Sequence, residues 1–240
     1  MDKLIFTAVS GAERTLRAQQ VRANNLANME TAGFRANLEH ASTAALGGYG
    51  YDDRHLSKSE ADTISTRAGS VRETGRALDV ALDNGYLAVQ WGDGEAYTRA
   101  GAIDIDAEGA LSVHGRALLG EGGAIVLPPH TAVEIGTDGT ISVQTEGATT
   151  MQVVDKLRLV NAEGSELTKN EAGLIVARSG APLEADANLK VRARALEGSN
   201  VSAIEEMVAT MSLNRSFEIQ MKLFKASDSM NESGNRLLGA

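Results

Sequence analysis

The stretch that decides the fold of this chain is residues 202–224, which read SAIEEMVATMSLNRSFEIQMKLF. Ser202 is expected to cap a helix there, because Glu205 follows three residues later and completes a capping box. Glycine and proline are absent from Ser199 to Ser233, so this helix has no breaker. Its apolar residues form two stripes at helical spacing, namely Ile204, Met207, Val208 and Met211, then Leu213, Phe217, Met221 and Phe224. The second stripe is offset by two residues, which favours a wide apolar surface that contacts more than one neighbour.

A second amphipathic helix is predicted in the first residues of the chain. Glycine and proline are absent from Ala12 to Ala32. One stripe, interrupted by Gln20, runs through Ile5, Val9, Ala12, Leu16, Gln20, Ala23 and Ala27. The helix is expected to end in a Schellman motif, with Gly33 in the left-handed conformation and Met29 in contact with Phe34.

Three asparagines lie near the end of that helix, at Asn24, Asn25 and Asn28, on either side of Leu26. Asparagine is a weak helix former, because its amide competes for backbone hydrogen bonds. Either the helix frays at this end, or the amides hydrogen-bond neighbouring chains. The sequence favours neither interpretation over the other.

The residues between the two helices change their period from helical to two. Residues 78–82 and 87–91 alternate apolar and other residues, and Asn84-Gly85 between them is predicted to form a tight hairpin turn. Similar units are predicted around Glu108-Gly109 and Asp138-Gly139, and further apolar runs lie at 151–154, 157–160 and 174–177. No helical pattern separates these strands, so the body is predicted to be all-β.

The predicted fold class is α+β, with long N- and C-terminal helices that pair as a coiled coil and enclose an all-β middle domain. Residues 1–34 and 198–240 are assigned to the helical domain, 35–74 to an extended connector and 75–197 to an outer β domain. Burying the eight large apolar side chains of the two stripes in the last helix gains less free energy than ordering its backbone costs. We therefore expect pairing within one chain to be marginal and further burial against other subunits to be required.

Charge and composition argue against several classes of function. The net charge is −9, residues 1–35 carry +2 and residues 197–240 carry −2, so the body is acidic and unsuited to nucleic acid or an anionic membrane. The chain has no cysteine, which excludes disulfides and thiolate metal sites, and its four histidines are scattered without metal-site spacing. No secretory h-region precedes Glu13, and no run approaches the ~20 apolar residues of a membrane span.

Chemical motifs are few. Residues 104–109 match the first half of a calcium-binding EF-hand loop, but Gly115 stands where that loop needs a glutamate, so a hairpin turn is favoured. Three glycosylation sequons, at Asn200, Asn214 and Asn231, fall in or beside the last predicted helix and are attributed to chance. No pair of carboxylates stands out as a glycosidase pair. We predict no catalytic residue, cofactor, metal or small-molecule substrate.

Short segments at both ends and in the body follow a shared pattern. They are Ala23-Asn24-Asn25-Leu26-Ala27-Asn28, Thr31-Ala32-Gly33-Phe34-Arg35, Tyr97-Thr98-Arg99-Ala100-Gly101, Leu196-Glu197-Gly198-Ser199-Asn200-Val201 and Arg215-Ser216-Phe217-Glu218. In this order they resemble the bacterial flagellar axial proteins, the rod and hook family. The short length and the opening residues 2–8 are most similar to the proximal-rod members of that family.

The resemblance implies a structural protein of the flagellar basal body. Family members pass unfolded through the flagellar type III export apparatus without a cleaved signal, and then assemble with themselves and other rod subunits into a helical tube. The helical ends form its inner layer, and the rod crosses the periplasm, transmits torque and lines the export channel. The subunit interface is then expected at the stripe residues named above, with Gln20, Asn24, Asn25, Leu26, Asn28 and Phe34; Gly33, Ser202 and Glu205 are expected at turns and caps.

Three alternatives stay open at this point. In the first, the chain is a distal-rod or hook subunit of the same family. In the second it is a carbohydrate-active enzyme with helical oligomerisation arms, which requires a cleft with two carboxylates at a fixed separation. In the third it is a surface-binding module, such as a segment of a trimeric fibre, which closes into a three-fold oligomer.

Overall fold

The computed structural model describes residues 2–45, 55–59 and 63–238, and for residues 2–5, 59 and 238 it describes the backbone alone. The chain divides into two compact units. The helical unit comprises residues 1–27, 37–62 and 202–240, and the β unit comprises residues 28–36 and 63–201.

The helical unit contains helix α1 (Asp2–Ala27) and helix α2 (Ala203–Leu238). The helices run antiparallel, because Gly11 lies beside Gln220 whereas Arg22 contacts Glu206. Three strands follow α1, namely β1 (Asn37–Leu38), β2 (Ala41–Ala45) and β3 (His55–Ser59), of which β2 and β3 pair antiparallel and β3 lies against α1. Neither described helix has a stretch long and apolar enough to cross a bilayer.

The β unit contains only strands and turns among its described residues. The strands are β4 (Thr63–Ile64), β5 (Val71–Glu73), β6 (Val80–Leu82), β7 (Tyr86–Trp91), β8 (Gly94–Thr98), β9 (Ile103–Ile105), β10 (Leu111–Val113), β11 (Arg116–Ala117), β12 (Leu119–Gly120), β13 (Gly123–Ala124), β14 (Ala132–Ile135), β15 (Thr140–Gln144), β16 (Gln152–Lys156), β17 (Leu159–Val160), β18 (Leu167–Lys169), β19 (Ile175–Ala177), β20 (Val191–Ala193) and β21 (Ala195–Glu197). The α+β class with a mostly β middle is confirmed.

Short antiparallel sheets build the β unit. The largest has five strands in the order β17-β7-β8-β19-β18, and two three-stranded sheets have the orders β11-β10-β9 and β14-β15-β16. Two further pairs are β20 with β6 and β21 with β5. Alternate apolar side chains of these strands form two buried clusters, one around Leu87, Ile103 and Leu111 and one around Tyr97 and Leu167. The burial follows from the period-two pattern, because successive side chains of a strand point to opposite faces.

Two of the three hairpins predicted from sequence are confirmed. Ile105 pairs with Leu111 across the turn at Glu108-Gly109, and Ile135 pairs with Ile141 across the turn at Asp138-Gly139. The registers match the alternation of apolar residues on each side of the turn, as expected when one face of a hairpin is buried.

The hairpin predicted at Asn84-Gly85 is wrong. Gly85 does adopt a positive φ of 74°. However, β6 pairs with β20 and β7 pairs with β8, so the strands on either side of Gly85 do not pair with each other. A Cβ on Gly85 would lie 2.5 Å from the Val160 carbonyl oxygen and from Leu189 Cδ1. Glycine is needed there because the chain passes close to Val160 and Leu189, and not for a hairpin.

The predicted end of the first helix also needs correction. Helix α1 ends at Ala27, and the expected Schellman motif is absent, because the Gly33 N–H donates to the Glu197 carbonyl at 2.8 Å instead of to its own helix. Gly33 has the expected positive φ, 68°. A Cβ there would lie 2.2 Å from the Ala100 amide nitrogen, so glycine serves close packing as well as the turn. Residues 35–74, expected as an extended connector, contain β1 to β5 in their described part; residues 46–54 and 60–62 lie outside it.

Candidate subunit interface

The helical unit lacks an apolar core among the residues whose side chains are described. Four of those side chains are buried, and all four are polar: Thr15, Asn25, Glu206 and Ser227. Thr15, Asn25 and Glu206 lie where α1 and α2 face one another, a contact that we call the seam. At helical spacing from Glu206 on the same side of α2 are the half-buried side chains of Leu213, Phe217 and Phe224. The seam is therefore closed by polar groups, and apolar burial within the unit is partial.

Glu206 is the centre of the seam. Its side chain is 7% exposed, and both of its oxygens accept hydrogen bonds from Arg22 Nη1, at 3.1 and 3.2 Å. Asn25 Nδ2 donates to the same carboxylate at 3.3 Å. Asn25 also exchanges two hydrogen bonds with the backbone of Asn37, whose N–H lies 2.9 Å from Asn25 Oδ1 and whose carbonyl lies 3.1 Å from Asn25 Nδ2. The buried amide thus satisfies both of its polar ends within its own unit.

Large apolar side chains cover the sides of the helices that face away from the seam. On α2, Ile204 is 77% exposed, and Val208 and Met211 are 61% and 62% exposed. Further along the helix Ile219, Leu223, Met230 and Leu237 are also exposed, and on α1 so are Phe6, Val9 and Leu16. Monomeric proteins rarely leave such continuous apolar surface in water, and large patches mark contact sites.

The expected interface residues fall into three groups. Exposed members are Val9, Leu16, Gln20, Asn24, Ile204, Met207, Val208, Met211 and Met221, whereas Ala12, Leu26, Asn28, Phe34, Leu213, Phe217 and Phe224 are half-buried. Asn25, which is also expected at a subunit interface, is fully buried and hydrogen-bonded within the helical unit. Ile5 belongs to α1, but its side chain lies outside the described part of the chain.

The two predicted helix ends differ in their polar contacts. At the start of α2, Ser202 Oγ accepts a hydrogen bond from the Glu205 N–H at 3.4 Å. At the end of α1, Asn28 Oδ1 accepts from Thr31 Oγ1 at 3.2 Å. The first contact is half of a capping box, and the second ties the turn that follows α1.

The β unit contains a buried charge cluster that sequence reasoning missed. Glu197 is 1% exposed; its Oε1 lies 2.8 Å from Arg35 Nη2, and its Oε2 accepts from Arg99 Nε at 2.8 Å. The Gly69 N–H donates to Glu197 Oε1 at 2.7 Å. Arg99 also donates to the backbone carbonyls of Gly85 and Leu82 at 2.7 and 2.9 Å. Two guanidinium groups and one carboxylate are thus buried together, with most of their hydrogen bonds made.

Burial and positive charge set the pKa values around this cluster. Burial lowers the pKa of Arg35, and the neighbouring Arg99 lowers it further, against the opposite effect of Glu197. Burial also raises the pKa of the Tyr86 hydroxyl, although Arg35 and Arg99 act in the opposite direction. Lys169, which donates to the Arg35 carbonyl at 2.6 Å and lies 3.6 Å from the centre of the Phe34 ring, has its pKa lowered by burial to about 8.

Asn200 binds two segments of the β unit together. Its Oδ1 accepts from the Ala36 N–H at 2.8 Å, and its Nδ2 donates to the Arg67 carbonyl at 2.8 Å. Its own N–H donates to the Phe34 carbonyl at 3.2 Å. The side chain of this sequon residue is therefore engaged in backbone contacts.

A surface groove of about 320 Å³ lies beside the turn of the β9–β10 hairpin. Asp106 and Glu108 line it together with His130 and apolar residues. Asp106 Oδ1 accepts from the Glu108 and Ala110 N–H groups, so this carboxylate holds the turn. Among the described residues no group of three or more histidine, aspartate or glutamate side chains is placed to hold a metal ion.

Comparison with known proteins gives the family. The sequence model described as "Flagella basal body rod protein" matches residues 5–35, "Flagellar hook protein FlgE/F/G D1 domain" matches residues 83–143, and "Flagellar basal body rod FlgEFG protein C-terminal" matches residues 192–237. The chain is 39% identical to the flagellar basal-body rod protein FlgF of Escherichia coli strain K12 over 99% of both chains. The chain belongs to the flagellar basal-body rod protein family.

Other members of the rod family show the same full-length match. The FlgF protein of Salmonella typhimurium is 38% identical over 99% of both chains, and the FlgG protein of Bacillus subtilis is 29% identical over 95% of this chain and 96% of its own. Membership of the rod family makes this chain a structural subunit of the flagellar basal body that assembles with other rod components.

The buried charge cluster gathers one residue from each of the three family matches. Arg35 lies in the first match, Arg99 in the second and Glu197 in the third. Each also lies in one of the sequence segments that resemble the rod and hook family. That resemblance was the sequence signal that could have indicated these three residues. Glu206 had a fainter signal, as an acidic residue in helical phase with Leu213 and Phe217.

Proposed function

We propose that this rod protein is a subunit of the proximal rod, built into a helical tube by head-to-tail contacts with its own copies and with other rod subunits. The helical segments of residues 1–34 and 198–240 pair as a coiled coil and form the inner layer of the tube. The tube transmits torque across the periplasm and lines the channel through which flagellar subunits pass. The role is mechanical and requires no catalysis.

One observation carries this proposal, namely that the helical unit buries polar side chains and exposes large apolar ones. Burying a side chain such as Ile204 or Met211 yields about 1.5–3 kcal/mol, which the isolated chain leaves unused. Contact with other subunits supplies that burial. The three- and four-residue spacing of the half-buried α2 positions 210, 213, 217, 220 and 224 supports the coiled-coil pairing.

The test places charge on the exposed apolar side of α2. Ile204→Glu combined with Met211→Glu is expected to remove the protein from purified basal bodies, measured by quantitative immunoblotting. Because both side chains are exposed, the isolated chain is expected to keep its stability within about 0.5 kcal/mol. Normal incorporation of this variant would refute the proposal.

The matched control adds the same charge elsewhere. Thr149→Glu combined with Thr150→Glu adds two charges at an exposed bend of the β unit and is expected to incorporate as the unaltered protein does. Deletion of residues 1–30 removes the whole of α1 and is expected to abolish incorporation.

We also propose export through the flagellar type III apparatus without a cleaved signal. The apolar stripe of α1, whose exposed members include Val9 and Leu16, supports a structural use of the first residues in the assembled rod. Mass spectrometry of the protein in purified basal bodies is expected to find residues 2–27 retained. A mass that lacks them would contradict this route.

A further inference from the structure

The helical unit holds its two helices together with polar groups although apolar side chains are abundant and exposed. A buried polar or charged contact adds little net free energy, because desolvation offsets most of the attraction. Polar groups in a helix pair do select an alignment, since any slip leaves them buried without partners. The composition of the seam therefore points to alignment as its role.

We propose that Arg22, Asn25 and Glu206 fix the register of α1 on α2, with Glu206 as the positioning residue. A slip of one heptad would bring Leu213 to the place of Glu206, and Arg22 and Asn25 would then face an apolar side chain. A slip of one heptad in the other direction would bring Ser199 to the place of Glu206, and Ser199 precedes the first residue of α2. Neither alternative offers the carboxylate that both donors use.

A second polar contact selects the same alignment. Gln220 lies two heptads beyond Glu206, and its Oε1 accepts a hydrogen bond from Thr15 Oγ1 at 3.4 Å. A Cβ on Gly11 would lie 3.0 Å from Gln220 Nε2, so the small residue makes room for this amide. A one-heptad slip would replace Gln220 by Ser227 or Leu213, which are shorter or apolar.

Asn25 connects the register to the strand that follows α1. Its two hydrogen bonds with the Asn37 backbone mimic the pairing of adjacent strands. Its third hydrogen bond is to Glu206 on α2. The contact of Asn25 with the strand therefore also constrains the position of α2. The inference goes beyond the proposed function, because it concerns how one chain aligns its own helices.

Disulfide cross-linking measures the register directly, because the chain has no native cysteine. Gln19 and Asn214 are hydrogen-bonded across the helices at 2.8 Å, so Gln19→Cys with Asn214→Cys reports the observed alignment. Gln19→Cys with Met221→Cys reports a slip of one heptad. Both pairs are oxidised in the purified full-length chain at low concentration, and intramolecular cross-links are quantified by mass spectrometry.

The decisive comparison places both cysteine pairs in a chain that also carries Arg22→Leu and Glu206→Leu, the double-leucine background. These substitutions remove both charges and leave no unpaired buried ion. In the unaltered background the Asn214 pair is expected to exceed the Met221 pair by at least about tenfold, which corresponds to ~1.4 kcal/mol. In the double-leucine background the ratio is expected to fall several-fold, while the Thr15–Gln220 contact still favours the observed alignment. Glu206→Gln keeps an acceptor oxygen for Arg22 and Asn25 and is expected to keep the native preference.

The control background is Arg17→Leu with Glu218→Leu, which removes the same types of charge from exposed positions of the two helices. It is expected to leave the ratio unchanged. The proposal is overturned if the double-leucine background keeps the native preference, if the control loses it, or if the unaltered chain shows no preference. Loss of both cross-links in the double-leucine background also overturns it, because the seam would then supply stability and not alignment.

Discussion

Glu197 brings three distant parts of the β unit to one buried point. Its carboxylate neutralises Arg99, which lies 98 residues earlier in the chain, and also Arg35. A buried ion pair adds little to stability compared with an apolar replacement, but removal of one partner leaves the other charge buried and uncompensated. The cluster is therefore sensitive to single substitutions.

Glu197→Ala is expected to lower the free energy of unfolding of the β unit by about 3–5 kcal/mol, because Arg35 and Arg99 lose their buried counter-charge. Urea denaturation followed by the fluorescence of Trp91 measures the change. Glu121→Ala removes a carboxylate that is 62% exposed and lies 3.8 Å from Lys156, and it is expected to cost less than about 1 kcal/mol. Equal losses in the two variants would contradict the role of the cluster.

Lys169 makes the stability of the β unit depend on pH. Its pKa is about 8 in the folded chain and near 10.5 when unfolded, so between these values the unfolded chain binds more protons. Stability is therefore expected to rise as the pH increases from about 8 toward 10.5 in the unaltered protein, relative to Lys169→Met. Unfolding curves at pH 7, 8, 9 and 10 test the slope; parallel pH profiles of the two proteins would show that Lys169 does not titrate as described.

At the scale of elements, the segment between Ala27 and Asn37 is held in place by contacts with residues far away in the chain. The sequence of the segment itself does not predict these contacts. Gly33 donates to the Glu197 carbonyl, and Asn200 contacts Phe34 and Ala36. The segment passes so close to the backbone of Ala100 that a side chain on Gly33 has no space. Its path is fixed by packing in the β unit and not by helix capping.

Gly33→Ala is expected to destabilise the β unit more than Gly75→Ala. Both glycines have positive φ, 68° and 78°, so each substitution costs about 1–2 kcal/mol in backbone strain. A Cβ at Gly75 meets nothing within 4 Å, whereas at Gly33 it meets backbone atoms at 2.2 to 2.4 Å, which adds roughly 1–3 kcal/mol for overpacking. Thermal unfolding of the two variants measures the difference, and equal melting temperatures would refute the packing argument.

On the scale of the whole molecule, the two units differ in how they are stabilised. The β unit has two clusters of buried apolar side chains. The described side chains of the helical unit include no buried apolar one. Regions with few buried apolar contacts open at low free energy, and association protects them.

The helicity of the isolated chain is therefore expected to fall short of the 26 and 36 residues of α1 and α2, and to rise on assembly. Circular dichroism at 222 nm on the dilute chain, and on the chain within rods, measures this change. Hydrogen exchange provides an independent control, since amides of β7 and β8 are expected to stay protected in both states. Full helicity of the dilute chain would contradict the need for burial against other subunits.

The amino-acid sequence by itself determined the elements that depend on neighbouring residues. The 3.6-residue stripes around Leu16 and Met207 predicted the two helices, and the period of two predicted the strands on either side of Asp138-Gly139. The motif segments around Gly33 and Glu197 indicated the rod family. These signals are local, because helix and strand geometry set which residues share a face.

The tertiary structure alone decided which distant groups meet. Asn84-Gly85 has the sequence of a hairpin turn, yet β6 pairs with β20 and not with β7. Asn25 has the sequence of a helix end, yet Glu206 and Asn37 bury it. Burial, strand pairing and ion pairs depend on residues far apart in the chain. Their contributions to stability therefore exist only once the tertiary structure has formed.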